Sequence, residues 1–158
     1  WFDVMGPYYA VASDPSVSAR VVGCWRLLPT LGPNMLRDIF PQLLDGAPAP
    51  AHEKTWEISR FAIDKDYAGG GCGFSELPAD MLRAMLRFAA IRGLESIVGV
   101  TSVAIERMAI SLGFNMERLG RARRIGNVTS LAFRLPVDEE TQIAVCGKSL
   151  EVELDRAA

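Results

Sequence analysis

Polar residues that can do chemistry lie inside an apolar stretch of the sequence, the segment WEISRFAI at residues 56–63. Glu57 can accept a proton, Ser59 can donate or accept a hydrogen bond, and Arg60 can hold a carboxylate. Because buried charges are costly unless they are paired, Glu57 and Arg60 either form a structural ion pair or line a polar pocket. These residues alone favour neither interpretation over the other.

The spacing of these residues creates a geometric problem. In a strand with strict alternation, Glu57, Ser59 and Phe61 share one face and Arg60 points to the other. For Glu57 and Arg60 to serve one site, the strand must bulge or splay between them, or Arg60 must reach round an edge of the sheet. We therefore predict a local irregularity near Ser59, where a ligand would meet free backbone groups.

The elements around this strand follow from periodicity and from turn residues. Strands and helices alternate in the middle of the chain and paired strands open it, which predicts an α/β (α+β) fold with a mixed sheet flanked by helices. A hairpin places Arg26 on an otherwise apolar strand face. The predicted strands are 8–13, 19–28, 56–63, 96–103 and 127–136, and the predicted helices are 34–44, 76–92, 104–112 and 138–145.

Composition sets limits on the class of protein. With 158 residues, of which 49% are hydrophobic, residues 1–158 are expected to form a single domain. The absence of a long apolar run and of a secretory signal predicts no membrane span and a cytoplasmic location. The formal charge of −2 argues against nucleic-acid binding.

Neither the cysteines nor the histidine indicates a metal site. Cys24, Cys72 and Cys146 are odd in number and far apart, so they are interpreted as small buried hydrophobic residues. His52 is the sole histidine, which argues against a metal ligand set and against a Ser-His-Asp triad. We predict no metal.

Several longer blocks of sequence resemble one family. They are FD and YY within residues 2–9, GCWRLLPTLGPNMLRDIFPQLL at 23–44, WEISRFAID at 56–64, and VTSVAIERM at 100–108. In this order they resemble the acyl-homoserine-lactone synthases, the autoinducer synthases of bacterial quorum sensing. The resemblance implies a GNAT-like acyltransferase fold, in which a single mixed, mainly antiparallel, twisted sheet has a splayed or bulged central strand.

The resemblance also implies the reaction and its partners. The family joins an acyl thioester, carried by acyl carrier protein or as acyl-CoA, to S-adenosylmethionine. The products are an N-acyl-homoserine lactone and 5′-methylthioadenosine. S-adenosylmethionine is a substrate in this reaction, so no cofactor is expected.

Carried over residue by residue, the resemblance assigns site residues. The catalytic positions are Glu57, Ser59 and Arg60, with Glu57 as proton acceptor and backbone donors at the irregular strand polarising the thioester carbonyl. The positions for S-adenosylmethionine and the charged cluster are Asp3, Arg26, Phe40 and Arg60. Family residues that normally complete this pocket lie upstream of Trp1, so we expect the full protein to have an N-terminal segment that this chain lacks.

Two further sets of residues follow from the resemblance and from charge. Family members that prefer 3-oxo acyl chains tend to carry threonine at the position aligned with Gly99. Because glycine has no hydroxyl, we expect unsubstituted or otherwise non-3-oxo chains, with Thr101 as a substitute donor under a different alignment register. Candidate walls of the acyl pocket, each also compatible with ordinary core, are Phe61, Met81, Met85, Gly99, Thr101 and Ile105. Candidate docking residues for an acidic carrier, each also compatible with a solvated face, are Arg83, Arg87, Arg121, Arg123 and Arg124.

Two alternative functions stay open at this point. The chain can be a different GNAT-like N-acyltransferase that uses acyl-CoA, from which release of methylthioadenosine would distinguish a lactone synthase. It can also be a non-catalytic acyl-carrier binding module, although such a module has no evident need for a buried charged cluster.

Overall fold

A computed structural model of the chain describes residues 6–14, 16, 20–67 and 76–147. These residues form a seven-stranded sheet with helices on its faces. The strands are β1 Tyr8–Asp14, β2 Arg20–Pro29, β3 Thr55–Ile63, β4 Ser96–Ser102, β5 Glu117–Arg118, β6 Arg123–Ile125 and β7 Val128–Pro136.

The strand order explains how distant segments come together. Along the sheet the order is β1-β2-β3-β4-β7-β5, and β6 also pairs with β7. Only β3 and β4 are parallel, and the other paired strands described are antiparallel. The prediction of a mixed, mainly antiparallel sheet is therefore confirmed.

The helices are α1 Met35–Asp38, α2 Leu77–Ile91, α3 Val103–Ser111 and α4 Glu139–Cys146, and a 3-10 turn spans Pro41–Leu44. Ser102 caps α3 by accepting a hydrogen bond from the Ile105 amide at 3.3 Å. The single helix predicted over residues 34–44 is wrong, because the chain breaks at Phe40. Pro41 lacks an amide hydrogen and disfavours helical backbone in the residue before it.

The sheet separates two apolar clusters. The larger core packs β2, β3, β4 and β7 against α2, α3 and α4, with Leu27, Leu86 and Ile97 fully buried. The smaller cluster lies beneath α1 and the 3-10 turn and contains Leu36 and Val98. Within the part of the chain that the structure describes, no helix has the length and apolarity needed to cross a membrane.

Candidate functional site

A β-bulge interrupts β3 at the predicted place. The register passes from Cys24 opposite Ala62 to Arg26 opposite Ser59, so two steps on β2 face three on β3. Arg60 takes up the extra step with a left-handed φ of 54°. The predicted irregularity near Ser59 is confirmed.

The bulge changes which face each residue of β3 occupies. Ile58 and Phe61 are three apart, yet both pack with the larger core. Glu57 and Ser59 lie on the opposite face together with Arg26. The alternation expected for an unbroken strand is therefore wrong after Ser59, because one inserted residue shifts the period-two pattern by one position.

The strands β3 and β4 separate just beside the bulge. Their parallel ladder runs from Thr55 and Ser96 to Ile58 and Gly99 and ends there. Beyond that point β3 continues along β2, while β4 continues along β7 to Ser102. The sheet is therefore splayed next to Arg60, and the β4-facing edge of β3 lines a gap between the strands.

A buried charged cluster occupies one side of this gap. Glu57 and Arg26 each retain only 1% exposure. The two Glu57 carboxylate oxygens accept hydrogen bonds from the backbone amides of Met35 at 2.9 Å and Leu36 at 2.6 Å. Arg26 donates from Nε to the Ser59 hydroxyl oxygen at 3.0 Å and from a terminal nitrogen to the Met35 sulfur at 3.4 Å. Glu57 thus fixes the start of α1 against β3.

The environment of Glu57 suits a group that exchanges a proton. Burial raises the pKa of its carboxyl above the ordinary value, while the amides of Met35 and Leu36 and the charge of Arg26 act in the opposite direction. A carboxylate with a raised pKa is a stronger base than a solvent-exposed glutamate. The two amides hold both oxygens in a fixed orientation towards the start of α1.

The segment after α1 carries Phe40 over the smaller apolar cluster, where its ring is half-buried. Asn34 caps α1 by accepting a hydrogen bond from the Arg37 amide at 3.0 Å. Phe40 is thus joined to the charged cluster through α1, whose first amides Glu57 holds. Asp3, the remaining predicted member of the cluster, lies outside the described residues.

An apolar cavity of about 250 Å³ lies on the other side of the splayed strands. Ser59 and Arg60 contribute to its wall, so the cavity and the charged cluster share the bulge. Four of the predicted acyl-pocket residues also line it, namely Phe61, Met85, Thr101 and Ile105. Its remaining lining residues are Ile58, Leu82, Val100, Ala109, Phe114, Met116, Phe133 and Leu135.

Two predicted pocket residues do not line this cavity. Met81 packs against β2 instead, where a Cβ placed on Gly23 would lie 2.4 Å from the Met81 sulfur. Gly99 sits where β3 and β4 are closest, and a Cβ there would lie 2.8 Å from the Ile58 carbonyl oxygen. Met81 thus belongs to the α2–β2 packing and Gly99 to the closed end of the splay, and their place in the acyl pocket stays a prediction.

The predicted docking arginines lie on two elements and differ in their pairing. On α2, Arg83 pairs with Asp80 at 3.0 Å, whereas Arg87 is exposed. On the β5–β6 segment, Arg123 pairs with Asp45 at 2.6 Å and Arg121 lies 3.8 Å from the same carboxylate. Arg124 is exposed and donates from Nε to the Gly126 carbonyl oxygen at 3.2 Å.

The β5–β6 segment also presses on the 3-10 turn. A Cβ placed on Gly120 would lie 2.3 Å from the Leu43 carbonyl oxygen, so only glycine fits there without a shift. Asp45, which follows the turn, accepts a hydrogen bond from the Arg121 amide at 2.7 Å. The arginine-rich segment is thus attached to the segment that carries Phe40.

One ion pair beside the cavity was not predicted from the sequence. Glu106 of α3 is buried and accepts two hydrogen bonds from Arg118 of β5, at 2.6 and 2.7 Å. The pair joins the helix that contributes Ile105 to the strand that follows Met116, so it braces that wall of the cavity. The sequence feature that could have indicated this pair is Glu106, an acidic residue beside the apolar stripe of α3.

Comparison with known proteins identifies the family. The family described as autoinducer synthase matches residues 1–145. An acyl-homoserine-lactone synthase from Pseudomonas aeruginosa is 38% identical over 146 residues, which cover 92% of this chain and 72% of that protein. The chain belongs to the autoinducer synthase family.

Solved structures agree with this assignment. The crystal structure of the AHL synthase LasI has a TM-score of 0.84 and 37% identity to this autoinducer synthase, covering 94% of this chain and 73% of that one. The structure of TofI in a ternary complex with an inhibitor and MTA has a TM-score of 0.75 and 32% identity, covering 89% and 69%. The predicted acyltransferase class and GNAT-like fold are confirmed.

Proposed function

We propose that this autoinducer synthase acylates the α-amino group of S-adenosylmethionine with an acyl thioester and then closes the lactone. The observation that carries the proposal is that the charged cluster and the apolar cavity meet at the bulge. Ser59 contacts the buried Arg26 on one face and lines the apolar cavity on the other. A polar amino-acid substrate and an acyl chain can therefore meet at one point of the sheet.

The first step requires a free amine. An α-amino group has a reference pKa of about 7.7–8.0, so at neutral pH most of the substrate arrives protonated and cannot attack. Glu57 takes this proton, directly or through a water molecule, because its carboxylate is buried and its pKa is raised. Arg26 and Arg60 hold carboxylates of the substrate or of the cluster.

The amine nitrogen then attacks the thioester carbon, the C–S bond breaks, and the leaving thiolate takes up a proton. Backbone donors on the β4-facing edge of β3 polarise the carbonyl oxygen, since the β3–β4 ladder ends at Ile58. In the second step the substrate carboxylate attacks the γ-carbon. The C–S⁺ bond to the sulfonium breaks, which forms the lactone and releases 5′-methylthioadenosine.

The acyl chain lies in the apolar cavity between β3, β4, α2 and α3. Phe61, Met85, Thr101 and Ile105 are on its wall. Gly99 has no hydroxyl that could bond a 3-oxo group, which supports a preference for chains without one. Each methylene changes selectivity by roughly 1–3 kcal/mol in such a pocket.

The acyl donor is a thioester on an acidic carrier protein or on coenzyme A. Arg87 and Arg124 are exposed and, among the described residues, no ion pair joins either to a carboxylate. Arg87 and Arg124 therefore provide most of the positive charge that attracts an acidic carrier. Arg83, Arg121 and Arg123 contribute less because nearby carboxylates compensate them.

The test is mass spectrometry of products formed by the full-length protein from S-adenosylmethionine and a panel of acyl-carrier and acyl-CoA thioesters. An N-acyl-homoserine lactone formed together with methylthioadenosine supports the proposal and gives the acyl length. Thioester consumption without lactone would contradict it and indicate a general N-acyltransferase. Binding of the carrier without turnover would indicate a binding module.

A matched pair of variants links the product to the site. Glu57→Gln removes the buried carboxylate, whereas Glu53→Gln makes the same chemical change at an exposed position in the preceding turn. We expect the lactone to fall sharply in the Glu57 variant only. Equal product from both variants would show that Glu57 does not take part in the reaction.

A further inference from the structure

The β-bulge is held from β2 by two side chains. Arg26 donates to the Ser59 hydroxyl oxygen, and Cys24 donates from its thiol to the Arg60 carbonyl oxygen at 3.4 Å. These two contacts bracket the point at which the β2–β3 register shifts. Cys24 is half-buried and lies on the same face of the sheet as Arg26, so it belongs to the surroundings of the charged cluster.

The bulge needs such support because its backbone is strained. Among the described residues, Arg60 and Asp45 are the non-glycine residues with positive φ. The left-handed region costs a non-glycine residue roughly 1–2 kcal/mol, so surrounding contacts must over-determine it. The direction of the Arg60 carbonyl fixes that peptide, and the peptide in turn directs Phe61 towards the cavity.

We propose that Cys24 is a positioning residue of this enzyme, acting through its thiol on the Arg60 carbonyl to hold the bulge at the mouth of the acyl cavity. The inference rests on the proposed function for its catalytic consequence. The structural part of the inference, that Cys24 stabilises the bulge, rests on the Cys24–Arg60 hydrogen bond and on the register shift. The interpretation of Cys24 as only a small hydrophobic residue is then incomplete.

The thiol contact can be separated from the volume of the side chain. Cys24→Ser keeps a donor at the same position, whereas Cys24→Val keeps the bulk and removes the donor. Val11 is the residue opposite Cys24 on β1 and is 62% exposed, so Val11→Ala is a control on the same surface, on a strand that β2 separates from β3. Cys24→Ala replaces the valine variant if the latter does not fold.

Two readouts are made on the full-length protein. Steady-state kinetics give kcat and the KM for S-adenosylmethionine, and hydrogen exchange follows the amides of residues 59–63. For Cys24→Val we expect kcat to fall about 3- to 10-fold, as for loss of one modest hydrogen bond, with KM within about twofold. We expect faster exchange at 59–63, and for Cys24→Ser and Val11→Ala both readouts near the parent.

Each outcome decides the inference. Unchanged kcat and exchange in Cys24→Val would overturn it, and so would equal impairment of the serine and valine variants, because the donor would then not matter. If the parent protein makes no lactone, the proposed function fails. The exchange comparison still decides whether Cys24 holds the bulge.

Discussion

Replacing Glu57 by glutamine tests whether this residue is a base or only an anchor for α1. Glutamine keeps one carbonyl oxygen, which can accept a hydrogen bond from the amide of Met35 or of Leu36. Its NH₂ group then faces the other amide, and two donors meet. The variant therefore removes the proton acceptor and also disturbs the start of α1.

The magnitudes of the two effects differ enough to separate them. One unmade hydrogen bond to a charged acceptor costs about 1–3 kcal/mol, and removal of a buried charge offsets part of this. At about 2–4 °C per kcal/mol, the melting temperature should fall by only a few degrees. An effect of one or two kcal/mol on positioning lowers activity about 5- to 30-fold, whereas loss of a general base lowers it about 100- to 10,000-fold.

The assay is kcat and KM for S-adenosylmethionine, with melting curves and with Glu53→Gln as the control. We expect kcat to fall more than about 100-fold with a small change in KM. A fall of less than about 30-fold, together with a raised KM, would refute the role as base and leave Glu57 as an anchor.

The pH dependence gives an independent check on the same residue. Burial raises the pKa of Glu57, and the reaction needs the ionised form. As the pH falls, the parent should therefore lose activity at a higher pH than an enzyme whose base is an ordinary glutamate. The pH–activity profile of the glutamine variant should lack this loss on the acidic side. The sign for stability is opposite: protonation of Glu57 favours the folded state, so this contribution is lost as pH rises through the folded pKa.

Further substitutions test the other parts of the site. Gly120→Ala places a Cβ 2.3 Å from a carbonyl of the 3-10 turn and should cost about 1–3 kcal/mol in thermal unfolding; a change no larger than that of Gly32→Ala, where the nearest atom is 3.8 Å away, would contradict this contact. Gly99→Thr should lower kcat/KM for unsubstituted acyl chains relative to 3-oxo chains, because threonine supplies a hydroxyl that can bond a 3-oxo group; an unchanged ratio across a panel of acyl thioesters would argue against the role of this glycine. Arg124→Glu should raise the KM for a carrier-bound thioester several-fold but not for a short thioester without the carrier. Arg134→Glu is the control at the other end of β7, and equal effects of Arg124→Glu on both substrates would exclude docking at Arg124.

Much of the fold was predictable because local patterns agree with it. The strands over 56–63 and 96–103 and the helices after them follow the apolar periodicity closely. The helix over 34–44 was not predicted correctly, since its apolar spacing continued through Pro41 although proline ends the helix there. The short strands β5 and β6 have two and three residues, too few to show alternation.

The site was predictable in its residue types but not in its contacts. Glu57 and Arg26 stand out as charges on apolar strands, and the demand that Glu57 and Arg60 cooperate predicted the bulge. The partners of Glu57 are backbone amides more than twenty positions away, which no side-chain pattern indicates. Likewise, periodicity showed that Met81 is buried but not that its neighbour is Gly23 rather than the cavity.

The single extra residue in β3 exchanges the two faces of the strand for every residue that follows it. Before it, the residues facing the charged cluster carry odd numbers, as Glu57 and Ser59 do, and after it the corresponding residue is Ala62. Straightening the strand with Arg60 retained would turn Phe61 and Ile63 out of the core, whereas deleting Arg60 would keep them in the core but remove the bulge that lines the cavity. A chimera of two relatives should therefore take β2 and β3 from the same relative, with the lengths of both strands unchanged.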